Sequence, residues 1–125
     1  MKELKIYRCD ICGNMICMIE DSGVNPECCG TGMTLAVPNT KDGAVEKHVP
    51  VVRKDGATVQ ILVGDKPHPM TDQHYISYIF LLTDSNFYMH RLEPGDAPEA
   101  TFCIPKGEEV IAAYSWCNIH GLWKN

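Results

Sequence analysis

The stretch VPVVRKDGATVQILV, residues 49–63, decides the fold. Both arms are rich in β-branched residues, and Lys54-Asp55-Gly56 lies between them. An Asp-Gly pair between two apolar arms is a strong hairpin signal, because these residues tolerate the positive φ that tight hairpin turns need. The same pattern continues towards the C-terminus. Residues 75–82 are aromatic and β-branched, Thr83-Asp84-Ser85-Asn86 turns the chain, and 87–92 reads as the returning strand. Residues 101–104 and 110–116 predict two more strands, split by Pro105-Lys106-Gly107. Short strands at this spacing predict a β-sandwich of roughly seven strands over residues 44–125. No helix of useful length is expected.

Residues 1–36 form a different unit. Strands are expected at 4–8, 14–20 and 33–37, with turns at Asp21-Ser22-Gly23 and around Pro26 to Gly30. A unit this short buries too little apolar surface to fold alone, so a bound metal is expected to staple it. Residues 37–43 are polar and turn-rich and read as the linker. The expected class is therefore all-β, a small metal-stapled N-terminal domain followed by a sandwich.

Bulk properties narrow the function. The formal net charge is −5, which argues against a nucleic-acid or anionic-membrane surface, since both require a basic patch. No apolar run approaches the ~20 residues that span a bilayer. The start, MKELKIYRC, lacks the apolar core of a signal peptide, so a cytoplasmic location is expected. The chain holds seven cysteines, an odd count that weakens a disulfide framework; clustered cysteines in a reducing compartment read first as metal ligands or redox groups. Five of the seven precede Asp42, whereas all five histidines follow it. That segregation points to two different sites.

In the first, Cys9 and Cys12 are spaced as a metal knuckle, and Cys28 and Cys29 are adjacent. Four thiolates make a closed tetrahedral shell suited equally to zinc or a single iron. Neighbouring side chains on an extended chain point to opposite faces, so the backbone must turn sharply between Cys28 and Cys29, helped by Pro26 and Gly30. With the shell filled by protein, this site can hold or pass an electron or staple the fold, but it has no substrate position. Cys17 and Cys103, on predicted apolar strands, read as buried structural thiols.

In the second, His48, His68, His74 and His120 lie at predicted strand ends or loops, and Cys117 precedes His120 by three. His48 is expected to open a strand after the charged pair Glu46-Lys47. Four imidazoles and one thiolate give five ligands and leave an octahedral metal one open position, a geometry iron adopts readily while structural zinc prefers four ligands. A thiolate opposite that position pushes electron density towards whatever binds there. His90 reads as a surface or strand histidine.

Taken together, Cys9-x-x-Cys12 … Cys28-Cys29, Glu46-Lys47-His48-Val49-Pro50, the His68 and His74 pair, and Cys117-Asn118-Ile119-His120-Gly121-Leu122-Trp123 resemble the desulfoferrodoxins, the two-iron class of superoxide reductase, over essentially the whole chain. The resemblance implies a desulforedoxin-like first domain with an iron held by Cys9, Cys12, Cys28 and Cys29. It implies an immunoglobulin-like second domain with an iron held by four equatorial imidazoles (His48, His68, His74, His120) and an axial Cys117 thiolate. It implies reduction of superoxide to hydrogen peroxide, a rubredoxin-like electron donor, a homodimer, and a role in detoxification in an anaerobe or microaerophile. Lys47 is then the electrostatic and proton-donating group, and Glu46 a lid. Two other readings fit less of the sequence. A blue-copper carrier requires a methionine soon after Cys117, and none follows; a zinc interaction module leaves the five C-terminal donors unexplained.

Overall fold

The computed structural model describes residues 1–41 and 43–125; Asp42, within the predicted linker, lies outside the described residues. The chain divides into two compact units, Met1–Val37 and Pro38–Asn125.

The first unit is built on a three-stranded antiparallel sheet. Strand β1 (Ile6–Arg8) lies between β2 (Met15–Cys17) and, introduced in chain order after β3 (Glu27–Cys28) and β4 (Thr31–Gly32), β5 (Thr34–Leu35). Strands β3 and β4 pair with each other, Cys28 opposite Thr31. Tyr7, Cys9 and Met33 form one buried cluster, with Met18 and Cys28 partly buried against it, and Leu4 and Ile6 are also buried. So small a core leaves this unit dependent on a cross-link of another kind.

The second unit is the sandwich. It begins with a single helical turn, α1 (Val45–His48), followed by β6 (Pro50–Asp55), β7 (Thr58–Val63), β8 (Ile76–Thr83), β9 (Phe87–Arg91), β10 (Glu99–Cys103), β11 (Val110–Cys117) and β12 (Gly121–Lys124). One sheet runs β10-β7-β6 and the other β12-β11-β8-β9, with every pairing antiparallel. The hairpin expected at 49–63 is present. Asp55 pairs with Thr58, so the turn is Gly56-Ala57, one residue later than the Asp-Gly reading, with Gly56 at φ 59°. Period-two alternation turns Val59, Ile61 and Val63 inward, where they meet Ile79, Leu81, Ala100, Ala113 and Cys117 in one core. Each fully buried aliphatic side chain contributes about 1.5–3 kcal/mol. Among the described residues, no helix is long and apolar enough to cross a membrane.

Several local expectations are corrected. His48 ends α1 instead of opening a strand; β6 starts two residues later. Residues 121–124 form β12, an edge strand that was not expected. Cys103 is exposed: on β10 the inward positions are Ala100 and Phe102, so parity sends Cys103 to solvent. Cys17 is half-buried rather than buried, though burial still pushes its thiol pKa up. His90 lies exposed on β9, as expected.

Two features of the sandwich place the thiol of Cys117 and the ring of His48. Register slips between Trp116 and Cys117: Trp116 faces Tyr78 but Cys117 faces Ile76. A bulge of this kind re-aims the side chain beside it. The α1 turn, too short to be stable alone, is held from outside. Gly64 N–H donates to Val49 O (3.1 Å), Lys66 N–H to Glu46 O (3.0 Å), and the buried Ser115 hydroxyl to His48 O (2.8 Å). Gly64 sits at φ 84°, and a Cβ there would lie 2.5 Å from Lys66 O, 2.6 Å from Glu46 O and 2.6 Å from Lys47 Cα. These are backbone atoms that cannot rotate away. Gly64→Ala is therefore expected to destabilise the protein by more than about 2 kcal/mol, from left-handed strain plus overpacking, and to displace the α1 turn. A chemical-denaturation midpoint equal to that of the parent would contradict this placement.

Candidate metal centres

Cys9, Cys12, Cys28 and Cys29 converge, with all four sulfurs within 4.8 Å of one another. The knuckle aims Cys9 and Cys12 at one point, and the backbone amides of Cys12 and Asn14 lie 3.5 Å from the sulfurs of Cys9 and Cys12 respectively. The second pair depends on a two-residue hairpin turn between β3 and β4. Both of its residues have positive φ, Cys29 at 54° and Gly30 at 73°. This is the sharp turn expected between adjacent ligands, and Cys29 adopts it at a steric cost of about 1–2 kcal/mol. Sulfur separations of 3.6 Å (Cys12–Cys28) and 4.0 Å (Cys28–Cys29) bracket the ~3.8 Å edge of a tetrahedron with ~2.3 Å metal–sulfur bonds. Proton affinities diverge within the cluster. Backbone donors from Cys12 and Ile11 bring the Cys9 thiol down to about 7, while hydrogen bonding to Cys12 and then Cys28 holds a proton on Cys29, pushing it up to about 12. Four thiolates this close require a cation to ionise together.

In the sandwich, four imidazoles stand around a square. Ring centroids are 4.5 Å apart for His48–His68, 4.6 Å for His68–His74, 5.0 Å for His74–His120 and 4.8 Å for His48–His120. Each of these neighbours is near-perpendicular to the next (76–85°), while the diagonal pair His48–His74 is 6.1 Å apart and tilted by only 32°. Three sources supply the rings: the end of α1 gives His48, the β7–β8 connection gives His68 and His74, and the β11–β12 turn gives His120. That turn also adjoins the fully buried Cys117, with Sγ 3.7 Å from His120 Nδ1. His48, His74, Cys117 and His120 all have donor atoms within 4.8 Å of one another, and His68 Nε2 is 3.0 Å from His48 Nε2.

Hydrogen bonds fix which nitrogens face inward. His48 Nδ1–H donates to Ala44 O (2.7 Å) and His68 Nδ1–H to Pro69 O (2.7 Å). A neutral ring that donates from Nδ1 presents a lone pair at Nε2. The two Nε2 atoms are thus both acceptors, facing each other at 3.0 Å with no proton to share. His74 Nε2 is buried with no hydrogen-bond partner. His120 Nδ1 lies 3.0 Å from His48 Nε2. Burial is the main force holding His48, His68 and His74 below the usual imidazole range, His68 at about 4; repulsion from the neighbouring rings adds to it, and the charge of Lys47 adds a little more for His48 and His74. For Cys117, burial pushes the thiol up, opposed by the amides of His120 and Ile119. Converging lone pairs, an orphaned buried nitrogen and a buried sulfur fit a cation at the centre of the square. Five donors exceed the closed shell of structural zinc and suit iron. The donor sets are those of two mononuclear iron centres, one of four cysteines and one of four histidines with a cysteine.

The pair Glu46 and Lys47 is exposed on α1 beside His48. Residues around the square that the sequence did not single out are Ala44 and Pro69, whose carbonyls orient two rings, while Trp123, known from the C-terminal motif but given no role there, stacks on His48 at 4.6 Å. Gly43 belongs with them: a Cβ there would lie 3.1–3.3 Å from atoms of His48, Trp123 and His120. None of these carries a ligand-type side chain, so spacing gives no signal for them.

Comparison with known proteins places the chain in a family. The sequence profile of the family described as Desulfoferrodoxin matches residues 40–125. A desulfoferrodoxin of Nitratidesulfovibrio vulgaris is 44% identical over 122 residues, covering 98% of this chain and 95% of that one. Among solved structures, the crystal structure of the superoxide reductase from Treponema pallidum superposes with a TM-score of 0.82 at 33% identity, covering 98% of each chain. A superoxide reductase (1Fe-SOR) from Giardia intestinalis matches with a TM-score of 0.54 at 32% identity, over 64% of this chain and 95% of its own. The chain belongs to the desulfoferrodoxin family.

Proposed function

We propose that this protein is a superoxide reductase, which takes superoxide, one electron and two protons to hydrogen peroxide. The observation that carries the reading is the square of four inward-facing imidazoles with a buried thiolate beside it and an exposed lysine next to one of its rings. When bound there by His48, His68, His74, His120 and Cys117, iron supplies the electron and a position for the small anion.

The chain's own groups do the rest. Superoxide approaches a protein of net charge −5, so encounter depends on a local positive field. Lys47 provides it: its ammonium lies exposed beside His48 and adds, after burial and the neighbouring rings, to the repulsion of a proton from His48 and His74. A focused field of this kind raises on-rates by roughly 10- to 10³-fold. Lys47, or water it orders, also delivers a proton to the reduced oxygen. Cys117 brings negative charge from the core side, tempered by the amides of Ile119 and His120. Its electron donation favours release of the product. Glu46, on the same turn as Lys47, covers the open face between turnovers.

Cys9, Cys12, Cys28 and Cys29 hold the second iron in a closed shell, as a staple and an electron carrier. The external donor is a rubredoxin-like protein, and the enzyme works as a cytoplasmic homodimer that removes superoxide.

Anaerobic mixing of the reduced protein with a superoxide pulse tests the reading. The expected result is hydrogen peroxide in proportion to the iron oxidised, with no dioxygen; evolution of dioxygen would make the protein a dismutase. Cys12→Ser is expected to lose the four-sulfur iron and keep this chemistry. Lys47→Ala should slow the encounter by about tenfold or more at low salt and flatten its ionic-strength dependence. An unchanged rate with unchanged salt dependence would remove the steering role from Lys47.

A further inference from the structure

His74 lacks the outer hydrogen bond that orients two of its neighbours in the square. His48 and His68 are each oriented by a carbonyl at 2.7 Å, and His48 is also stacked on Trp123. His74 has no ring hydrogen bond of this kind among the described residues, and its Nε2 is unpartnered. Its direction is therefore set by its backbone. Locally, Thr71 closes the loop on His74: the two exchange backbone bonds of 3.0 and 3.2 Å, and the Thr71 hydroxyl adds contacts of 3.2 and 3.1 Å. These bonds shape the loop but do not fix it to the sandwich.

Met70 anchors the start of the loop, its carbonyl accepting from Gly95 N–H (2.8 Å) and its sulfur from Ile76 N–H (3.4 Å); beside His74 itself the attachment comes from Asn118. Its carboxamide nitrogen donates to Gln73 O (2.9 Å), and its carboxamide oxygen accepts from Tyr75 N–H (2.9 Å). Its own backbone N–H donates to Tyr75 O (3.1 Å). Three hydrogen bonds thus grip the residues on either side of His74. Asn118 directly follows Cys117, and the short β11–β12 turn links the thiolate to His120. The same half-buried side chain therefore sets the position of His74 relative to the sulfur and to the neighbouring ring.

We propose that Asn118 is the positioning residue for His74, clasping both of its flanks to the end of β11 and so closing the square. The side chain suits the task because a carboxamide offers both a donor and an acceptor from a single rigid plane. Aspartate keeps only the acceptor, and leucine keeps the size and neither polar group. The inference rests on the reading of this site as an iron centre, so the test separates the two.

Amide hydrogen exchange at Tyr75 is measured in the metal-free protein, and the rate of iron loss to a chelator in the iron-loaded protein, for the parent, Asn118→Asp and Asn118→Leu. Asn118→Leu is expected to speed Tyr75 exchange by about tenfold, the effect of losing one such bond, and to speed iron loss from the histidine site about 10- to 100-fold, as loss of an orienting partner does. Asn118→Asp is expected to leave Tyr75 exchange near the parent value and to lose iron at an intermediate rate. If Asn118→Leu does not fold, an Asn118→Asp protein with parental iron loss overturns the proposal. It is equally overturned if Asn118→Leu folds with parental exchange and iron loss. A parent that takes up no iron at the histidine site would instead defeat the functional reading, while faster Tyr75 exchange in Asn118→Leu would still establish the clasp.

Discussion

Two imidazole lone pairs face each other at 3.0 Å, on His48 Nε2 and His68 Nε2, because both rings have committed their only N–H to a backbone carbonyl on the outer side. Such an arrangement is repulsive unless a cation lies between the acceptors. Most of the second unit serves to impose it. Ala44 O and Pro69 O choose the tautomers, Trp123 stacks against His48, and the buried Ser115 hydroxyl fixes the carbonyl of His48. Burial favours the neutral form of His48, His68 and His74, the form a ligand must have. The free energy spent in crowding these nitrogens is returned when a metal binds, so metal retention and local stability are one quantity at this site.

The sandwich solves a placement problem. A thiolate in an apolar core is costly, yet here it has to meet rings from three separate segments. The bulge beside Cys117 and the tight β11–β12 turn bring its sulfur to the end of the core, where the amides of Ile119 and His120 face it. The α1 turn, anchored from Gly64, Lys66 and Ser115, brings His48 to the same point and leaves Glu46 and Lys47 in water. The first unit uses the opposite economy: its core is small, and a two-residue turn at Cys29-Gly30 makes adjacent cysteines point to one place.

How much of this was legible in the chain depends on the range of each interaction. The hairpin around Gly56, the knuckle at Cys9 and Cys12, and the turn needed between Cys28 and Cys29 are local, and each is written in neighbouring residues. The ligand set was legible through residue chemistry and through resemblance to a family whose motifs are specific. The α1 turn was not, because a four-residue helix shows no periodicity. The burial of Cys103 was misjudged because an apolar strand does not declare which parity faces the core. Ser115 gave no signal, and Asn118 stood in the C-terminal motif without a role of its own, since their partners lie 67 and 43 residues away in sequence. Gly64 was equally silent, as its constraint is the backbone of another segment.

The function of the second unit stands or falls with one sulfur and four imidazole nitrogens surrounding a single iron. Iron-edge X-ray absorption on the Cys12→Ser protein, in which only the histidine site is loaded, reads that shell directly. The expected spectrum has a first shell dominated by nitrogen, with one sulfur scatterer and the multiple-scattering signature of several imidazoles. A shell with no sulfur, or one of sulfur alone, would contradict the assignment.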